Sequence, residues 1–306
     1  MRIAIIGQAA FGESVLNALA EGEEDIVGVF CPPDREGRPP DPIKAAAQKH
    51  GIPQFQFRRM RDQQAIDAFV GLNTDLCVMA FVTDIVPDAI LTAPAKGTVQ
   101  YHPSLLPKHR GPSAINWPII QGETRTGLTI FWPDAGLDTG PVLLQREIEI
   151  GPDDTLANVY FDRLFPMGVE AMVEAVSMVK NGTAPRFEQD ASQATYEGWC
   201  HAENVVIDWS GPVERIYDLI RGADPSPGAG TTFGGKAIQF FKAAKREGDS
   251  GKSPGEVTEV TEEGFAVAAK GGTLFIGRVQ PEGARKIMAP EWTQSVDLRP
   301  GARFGS

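Results

Sequence analysis

Apolar residues run unbroken through RIAIIG (residues 2–7) and stop at Gly7, the pattern of a strand buried on both faces. The period then changes. Val15, Leu16 and Leu19 fall on one face of a helix predicted over 13–22 and ended by Gly22. Strand-like DIVGVFCPPD (25–34), IPQFQF (52–57), TDLCVMAFV (74–82) and TVQYH (98–102) follow. Between them lie helix-like PIKAAAQKHG (42–51), QQAIDAFVGLN (63–73) and VPDAILTAPAKG (86–97). Such alternation predicts an α/β fold: a Rossmann-like open, mostly parallel sheet with helices on both faces.

GPSAINWPIIQGE (111–123) suggests another helix, and RTGLTIFWPD (125–134) and GPVLLQREIEI (140–150) two strands joined by DAGLDTG. Residues 155–182 read as a long amphipathic helix broken near Pro166, and the polar stretch 183–198 as a linker. Beyond it comes a helix starting near Pro212 and short Gly-separated strands such as GEVTEV, GFAVAAK and GTLFIGRVQPEG. These predict a small β-barrel. Two domains are expected, 1–200 and 201–306, with 244–256 a mobile loop.

The composition is that of an ordinary folded protein, and no apolar run approaches the roughly 18 residues of a membrane span. The opening apolar run ends at Gly7 without the long core of a signal peptide, so a cytoplasmic location is expected. Cys31, Cys77 and Cys200 are odd in number, far apart and in no CxxC pair. That disfavours a disulfide framework or a zinc site, and no metal is expected. Cys77 reads as a buried, inert thiol. The formal net charge of −11 disfavours nonspecific binding to a polyanion.

Gly7 and Gly12 frame GQAAFG, which lacks the middle glycine of a dinucleotide fingerprint and the Lys of a P-loop. They read instead as a tight strand-to-helix turn. His102 ends a predicted central strand, where ligands bind in open α/β sheets. Asp138 lies in the inter-strand loop with Asp134 and Gly136, a loop that also suits plain Asp-rich turns. A His with a nearby carboxylate suits general acid/base work. Gln100 shares the strand face of His102, from which its amide can reach a developing oxyanion. Arg110 can meet an anionic ligand or merely tether its loop, and Met79 and Phe81 can line a flat-ring pocket or pack the core.

At HPSLLPKHRG followed by DAGLDTGP the sequence resembles the folate-dependent formyltransferase family. The likeness extends over nearly the whole chain, through IIGQAAFGESV, VGVFCPPDREG, RLFPMGVEAMVEAV, ATYEG and IRGADPSPGA. It is strongest to the N-terminal hydrolase domain of 10-formyltetrahydrofolate dehydrogenase, with methionyl-tRNA formyltransferase also similar. The resemblance implies a Rossmann-like catalytic domain followed by an OB-like barrel. It places the family's catalytic His on His102 and Asp on Asp138. Gln100 stands where the family's transferases carry Asn, a departure in how the oxyanion is held.

Met79, Ala80, Phe81, Ser104, Arg110, Asp134 and Gly136 are the expected folate-binding positions. The implied reaction removes the formyl group of 10-formyltetrahydrofolate, to water as formate or to an acceptor amine. No NAD(P) is expected, because the dehydrogenase and carrier portions have no counterpart in these 306 residues. Two alternatives stand. Methionyl-tRNA formyltransferase is disfavoured by the net charge and by the short, mixed-charge segment 31–44. A non-enzymatic folate binder would need neither His102 nor Asp138.

Overall fold

The computed structural model describes residues 1–22 and 24–305. The chain forms two compact units that interleave along the sequence: residues 1–114, 127–148 and 163–197 cluster in one, and 115–126, 149–162 and 198 onward in the other.

The first unit is built on a seven-stranded sheet. Its strands are β1 (Arg2–Gly7), β2 (Asp25–Cys31), β3 (Gln54–Gln56), β4 (Leu76–Ala80), β5 (Thr98–His102), β6 (Arg125–Phe131) and β7 (Val142–Glu149). They lie in the order β3-β2-β1-β4-β5-β6-β7, parallel from β3 to β5, with β6 antiparallel to β5. This is the Rossmann-like sheet that the alternating pattern predicts. The unbroken apolar runs of β1 and β4 follow from their central place: all of Leu76–Ala80 is buried. Strand order reverses between β1 and β4, which opens a crevice above their carboxyl ends.

Helices α1 (Ala9–Glu21), α2 (Pro42–Lys49), α3 (Gln63–Gly71), α4 (Asp88–Leu91) and, after α5 of the other unit, α6 (Phe165–Lys180) accompany the sheet. On one side Ala4, Ile6, Phe30, Phe69, Cys77 and Met79 form a continuous core. Phe11 of α1 meets Tyr101 of β5 and Phe165 of α6 at ring-centroid distances of 4.3 and 5.5 Å. Cys77 lies wholly inside, and burial pushes its thiol far above the ordinary range, as an inert core thiol should be.

Several elements depart from the periodicity. The helix expected over 86–97 is only α4, because Pro94 has no N–H to continue it. The break near Pro166 is a π-helical turn, Asn158–Leu164, after which Pro166 sits harmlessly in the first turn of α6. The stretch expected to be a linker is bound in place through residue 197. Val142 and Phe187 exchange backbone hydrogen bonds of 2.7 and 2.9 Å, and Tyr196 bridges Arg110. Its polar composition concealed this, since a polar side chain bonded within the fold reads in sequence like one facing water.

The second unit contains α5 (Asn116–Ile120), α7 (Val213–Gly222), α8 (Ala289–Ser295) and an antiparallel sheet. Its strands are β8 (Ala229–Phe233), β9 (Lys236–Glu247), β10 (Val257–Val260), β11 (Phe265–Ala269), β12 (Gly272–Pro281) and β13 (Ile287–Met288). The order is β10-β11-β12-β9-β8, with β13 beside β12. The chain's last residues close the gap between the edge strands: Arg303 bridges Glu256 before β10, and Phe304 bridges Phe233 of β8. The Phe304 ring, 1% exposed, packs on Trp209, Phe240, Phe265 and Trp292. Closure removes the open edges, as expected of a small barrel.

Candidate active site

His102 is the last residue of β5, paired across the antiparallel junction with Thr129 of β6. It is 5% exposed. Its Nε2 lies 2.8 Å from the carbonyl oxygen of His109, seven residues on. A carbonyl only accepts, so the hydrogen is on Nε2 and the Nδ1 of the neutral ring carries the lone pair. Nδ1 faces Asp138 Oδ2 at 3.7 Å. This is longer than a hydrogen bond, and a proton arriving at Nδ1 would sit between ring and carboxylate.

Asp138 is 6% exposed and has a positive φ of 56°, a conformation that Asp tolerates better than most residues. The turn aims its carboxylate inward, where Oδ2 accepts the Gly111 N–H at 2.9 Å. The loop before it is shaped by Asp134, whose Oδ1 accepts from the Gly136 N–H at 3.0 Å and the Thr139 hydroxyl at 2.6 Å. A Cβ at Gly136 would lie 2.0 Å from Thr139 Oγ1. Asp134 and Gly136 therefore build the turn that presents Asp138.

Residues 104–107 are braced from β6 and β7. Thr129 Oγ1 donates to the Ser104 carbonyl (2.7 Å) and accepts from the Leu106 N–H (3.1 Å). Gln145 donates from Nε2 to Thr129 Oγ1 and the Leu106 carbonyl. The Ser104 side chain is fully buried and donates to the Lys108 carbonyl, so it holds the loop rather than facing outward. Arg110 spends two N–H groups on Gln189 Oε1 (2.8 and 3.3 Å), the tethering alternative for this residue.

Gln100 is half-buried, projects to the same face of β5 as His102, and its amide makes no hydrogen bond to a described residue. Met79 and Ala80 are buried in β4, with Met79 packed among core side chains. Phe81, just beyond them, is 45% exposed and has a positive φ of 60°. It lines a cavity with Gly7, Gln8, Cys31, Arg58 and Asp84 in the crevice where strand order reverses. No wall of that cavity comes from His102 or Asp138; β4 stands between it and the strand that carries His102. Ile85 and Leu137, 74% and 55% exposed, add apolar surface on the loops after β4 and before Asp138. Their sequence neighbours marked these loops, but only the fold shows that these side chains stay outside.

The turn after β1 is filled by the chain itself. Asp41 Oδ1 accepts the Ala9 N–H at the start of α1 (2.8 Å) and the Ile43 N–H of α2 (3.1 Å). Gly7 is required by close packing, since a Cβ there would lie 2.7 Å from the Ala80 carbonyl oxygen. Among the described residues no cluster of three or more His, Cys, Asp or Glu side chains is placed to hold a metal ion, and no helix is long and apolar enough to cross a membrane.

Comparison with known proteins shows the family. Residues 1–176 match the formyl transferase family and residues 201–297 the formyl transferase C-terminal domain. The chain is 40% identical to cytosolic 10-formyltetrahydrofolate dehydrogenase of Xenopus tropicalis, over 97% of its own length and 34% of that protein, so it spans about a third of that relative. It is 36% identical to methionyl-tRNA formyltransferase of Geobacter metallireducens, covering 100% of this chain and 99% of that one. A crystal structure of HypX from Aquifex aeolicus with tetrahydrofolic acid shares the fold at a TM-score of 0.69 and 18% identity, over 95% of this chain and 46% of that one. Matches to both halves, together with relatives alike over nearly the full length, show that the chain belongs to the formyl transferase family.

Proposed function

We propose that the chain removes the formyl group of 10-formyltetrahydrofolate, with His102, Asp138 and Gln100 as the catalytic residues. The observation that carries this reading is the buried pair at the end of β5: His102 Nδ1 faces the Asp138 carboxylate while its Nε2 is committed to a backbone carbonyl. A water or amine attacks the formyl carbon, and the oxygen of the tetrahedral adduct gains negative charge. The Gln100 amide donates to that oxygen, and His102 relays the nucleophile's proton to N10 as the C–N10 bond breaks. Tetrahydrofolate leaves, with formate when water is the nucleophile. Phe81, Ile85 and Leu137 supply the apolar surface for the flat ring of the folate, while Asp134, Gly136, Ser104 and Arg110 shape the surrounding loops.

Water or a small amine without phosphate is the favoured acceptor. Two features support this: the likeness to the dehydrogenase's hydrolase domain, and the Asp41 carboxylate at the α1 N-terminus, which would repel a phosphate seated there. The second reading is methionyl-tRNA formyltransferase, favoured by a relative matched over 99% of its own length. A non-enzymatic folate binder is disfavoured by the retained His102–Asp138 geometry. The test is tetrahydrofolate release from 10-formyltetrahydrofolate by the purified protein without an acceptor, beside His102→Ala. Steady release lost in the variant supports the hydrolase. Turnover only with an added small amine keeps the first reading as a transferase, turnover only with charged initiator tRNA supports the second, and folate binding without turnover under all three conditions the third.

A further inference from the structure

At its two ends, Gln189 and residues 195–197, the segment 189–197 contacts the loop that carries His109 and Gly111. Arg110 donates its N–H to the Thr195 carbonyl (3.1 Å), Thr195 to the Pro107 carbonyl (3.2 Å) and Glu197 to the Arg110 carbonyl (3.2 Å). The Thr195 hydroxyl accepts the His109 N–H at 2.8 Å. His109 Nδ1 lies 3.2 Å from Glu197 Oε2, and the His109 side chain is 5% exposed. On the other side Gln189 accepts from Arg110 and donates to the carbonyls of Asp138 (2.9 Å) and Gly140 (2.7 Å).

His109 has a positive φ of 53°, in the left-handed region that costs a non-glycine residue about 1 kcal/mol or more. That turn is what directs its carbonyl at His102 Nε2. Thr195 Oγ1 on its N–H and Glu197 on its ring oppose relaxation of His109 to negative φ, a change that would swing the carbonyl away. His102 would then lose the bond that selects its tautomer.

We propose that residues 189–197 are a positioning element for the formyl-cleaving pair: Glu197 and Thr195 hold His109 so that its carbonyl keeps the hydrogen of His102 on Nε2, and Gln189 holds the main chain of Asp138. The functional part of this inference rests on the reading given above; the tautomer part does not. None of the three residues needs to touch substrate.

The experiment uses the intact chain with Thr195→Val, Thr195→Ser, Glu197→Ala and Glu197→Gln. Ring 15N shifts of His102, measured without substrate, report its tautomer, and steady-state turnover reports kcat and KM separately. Expected for Thr195→Val and Glu197→Ala are mixed His102 tautomers and a fall in kcat of about 10- to 100-fold with KM for the formyl folate within about twofold. Thr195→Ser and Glu197→Gln, which keep an acceptor oxygen, recover both readouts. Thr195→Val is nearly isosteric, so it keeps the test open if Glu197→Ala fails to fold. An unchanged His102 tautomer in folded Thr195→Val overturns the proposal, as does a wild-type kcat. Absence of turnover in the unsubstituted protein with water, a small amine or charged initiator tRNA, with the tautomer still responding to Thr195→Val, would refute the formyl-cleavage reading and leave the positioning geometry standing.

Discussion

Asp138→Asn removes one negative charge from a buried position and leaves the shape almost unchanged. Asn tolerates the positive φ of 56° at least as well as Asp, and its carbonyl oxygen can still accept the Gly111 N–H now bound at 2.9 Å. The fold should therefore persist, with any change in thermal midpoint within a few degrees. The charge matters at the moment His102 becomes a cation. With 3.7 Å between Nδ1 and Oδ2, the attraction is about 1 kcal/mol in water and about 4.5 kcal/mol at an effective dielectric near 20. Those limits correspond to about 7-fold and about 2,000-fold in rate. Both side chains are nearly inaccessible, 7% and 6% exposed, so the loss should lie toward the upper limit, at about 10²-fold or more. The assay is absorbance-monitored release of tetrahydrofolate, with circular dichroism to confirm folding. A folded Asp138→Asn protein with near-normal kcat would refute the assignment of Asp138 as the charge that supports His102.

Gly111→Ala should destabilise by about 2 kcal/mol or more, read by urea unfolding, because φ is +107° and the new Cβ would lie 2.3 Å from the Glu197 carbonyl oxygen. An unchanged midpoint would mean that the Glu197 segment is not seated there. Asp41→Ala strips the acceptor from two helix-start amides and should cost about 1 kcal/mol, measured the same way; a neutral result would remove Asp41 as the cap. Phe304→Ala empties the centre of an aromatic cluster and should cost about 3–5 kcal/mol, and retention of the wild-type midpoint would show that the tail does not close the barrel. Burial, reinforced by the Asp41 carboxylate, pushes the Cys31 thiol up to about 11, and burial alone does the same for Cys200. At about pH 8 only about one thiol in a thousand is then thiolate, so iodoacetamide should modify native protein slowly and faster as the pH rises toward 11. Rapid labelling of either cysteine at pH 8 would contradict this.

Short-range periodicity made the sheet and its covering helices legible in the amino-acid sequence. Unbroken apolar runs at 2–7 and 74–82, closed by turn residues and alternating with helical spacing, required a parallel sheet covered on both faces. That placed His102 at a strand end. The motifs around His102 and Asp138 marked the two residues as a candidate pair, even though they lie far apart in the chain. The tertiary structure alone decided how the pair is held. The left-handed turns at His109 and Asp138 leave no periodic signature, and neither does the commitment of His102 Nε2 to a backbone carbonyl. Residues 183–198 looked like a linker because they are polar, and polarity cannot reveal backbone bonds to a loop some 85 positions earlier. Segments 115–126 and 149–162 cluster with the second unit for a related reason: membership of a unit is set by long-range contacts, whereas local pattern records only which face of an element is buried.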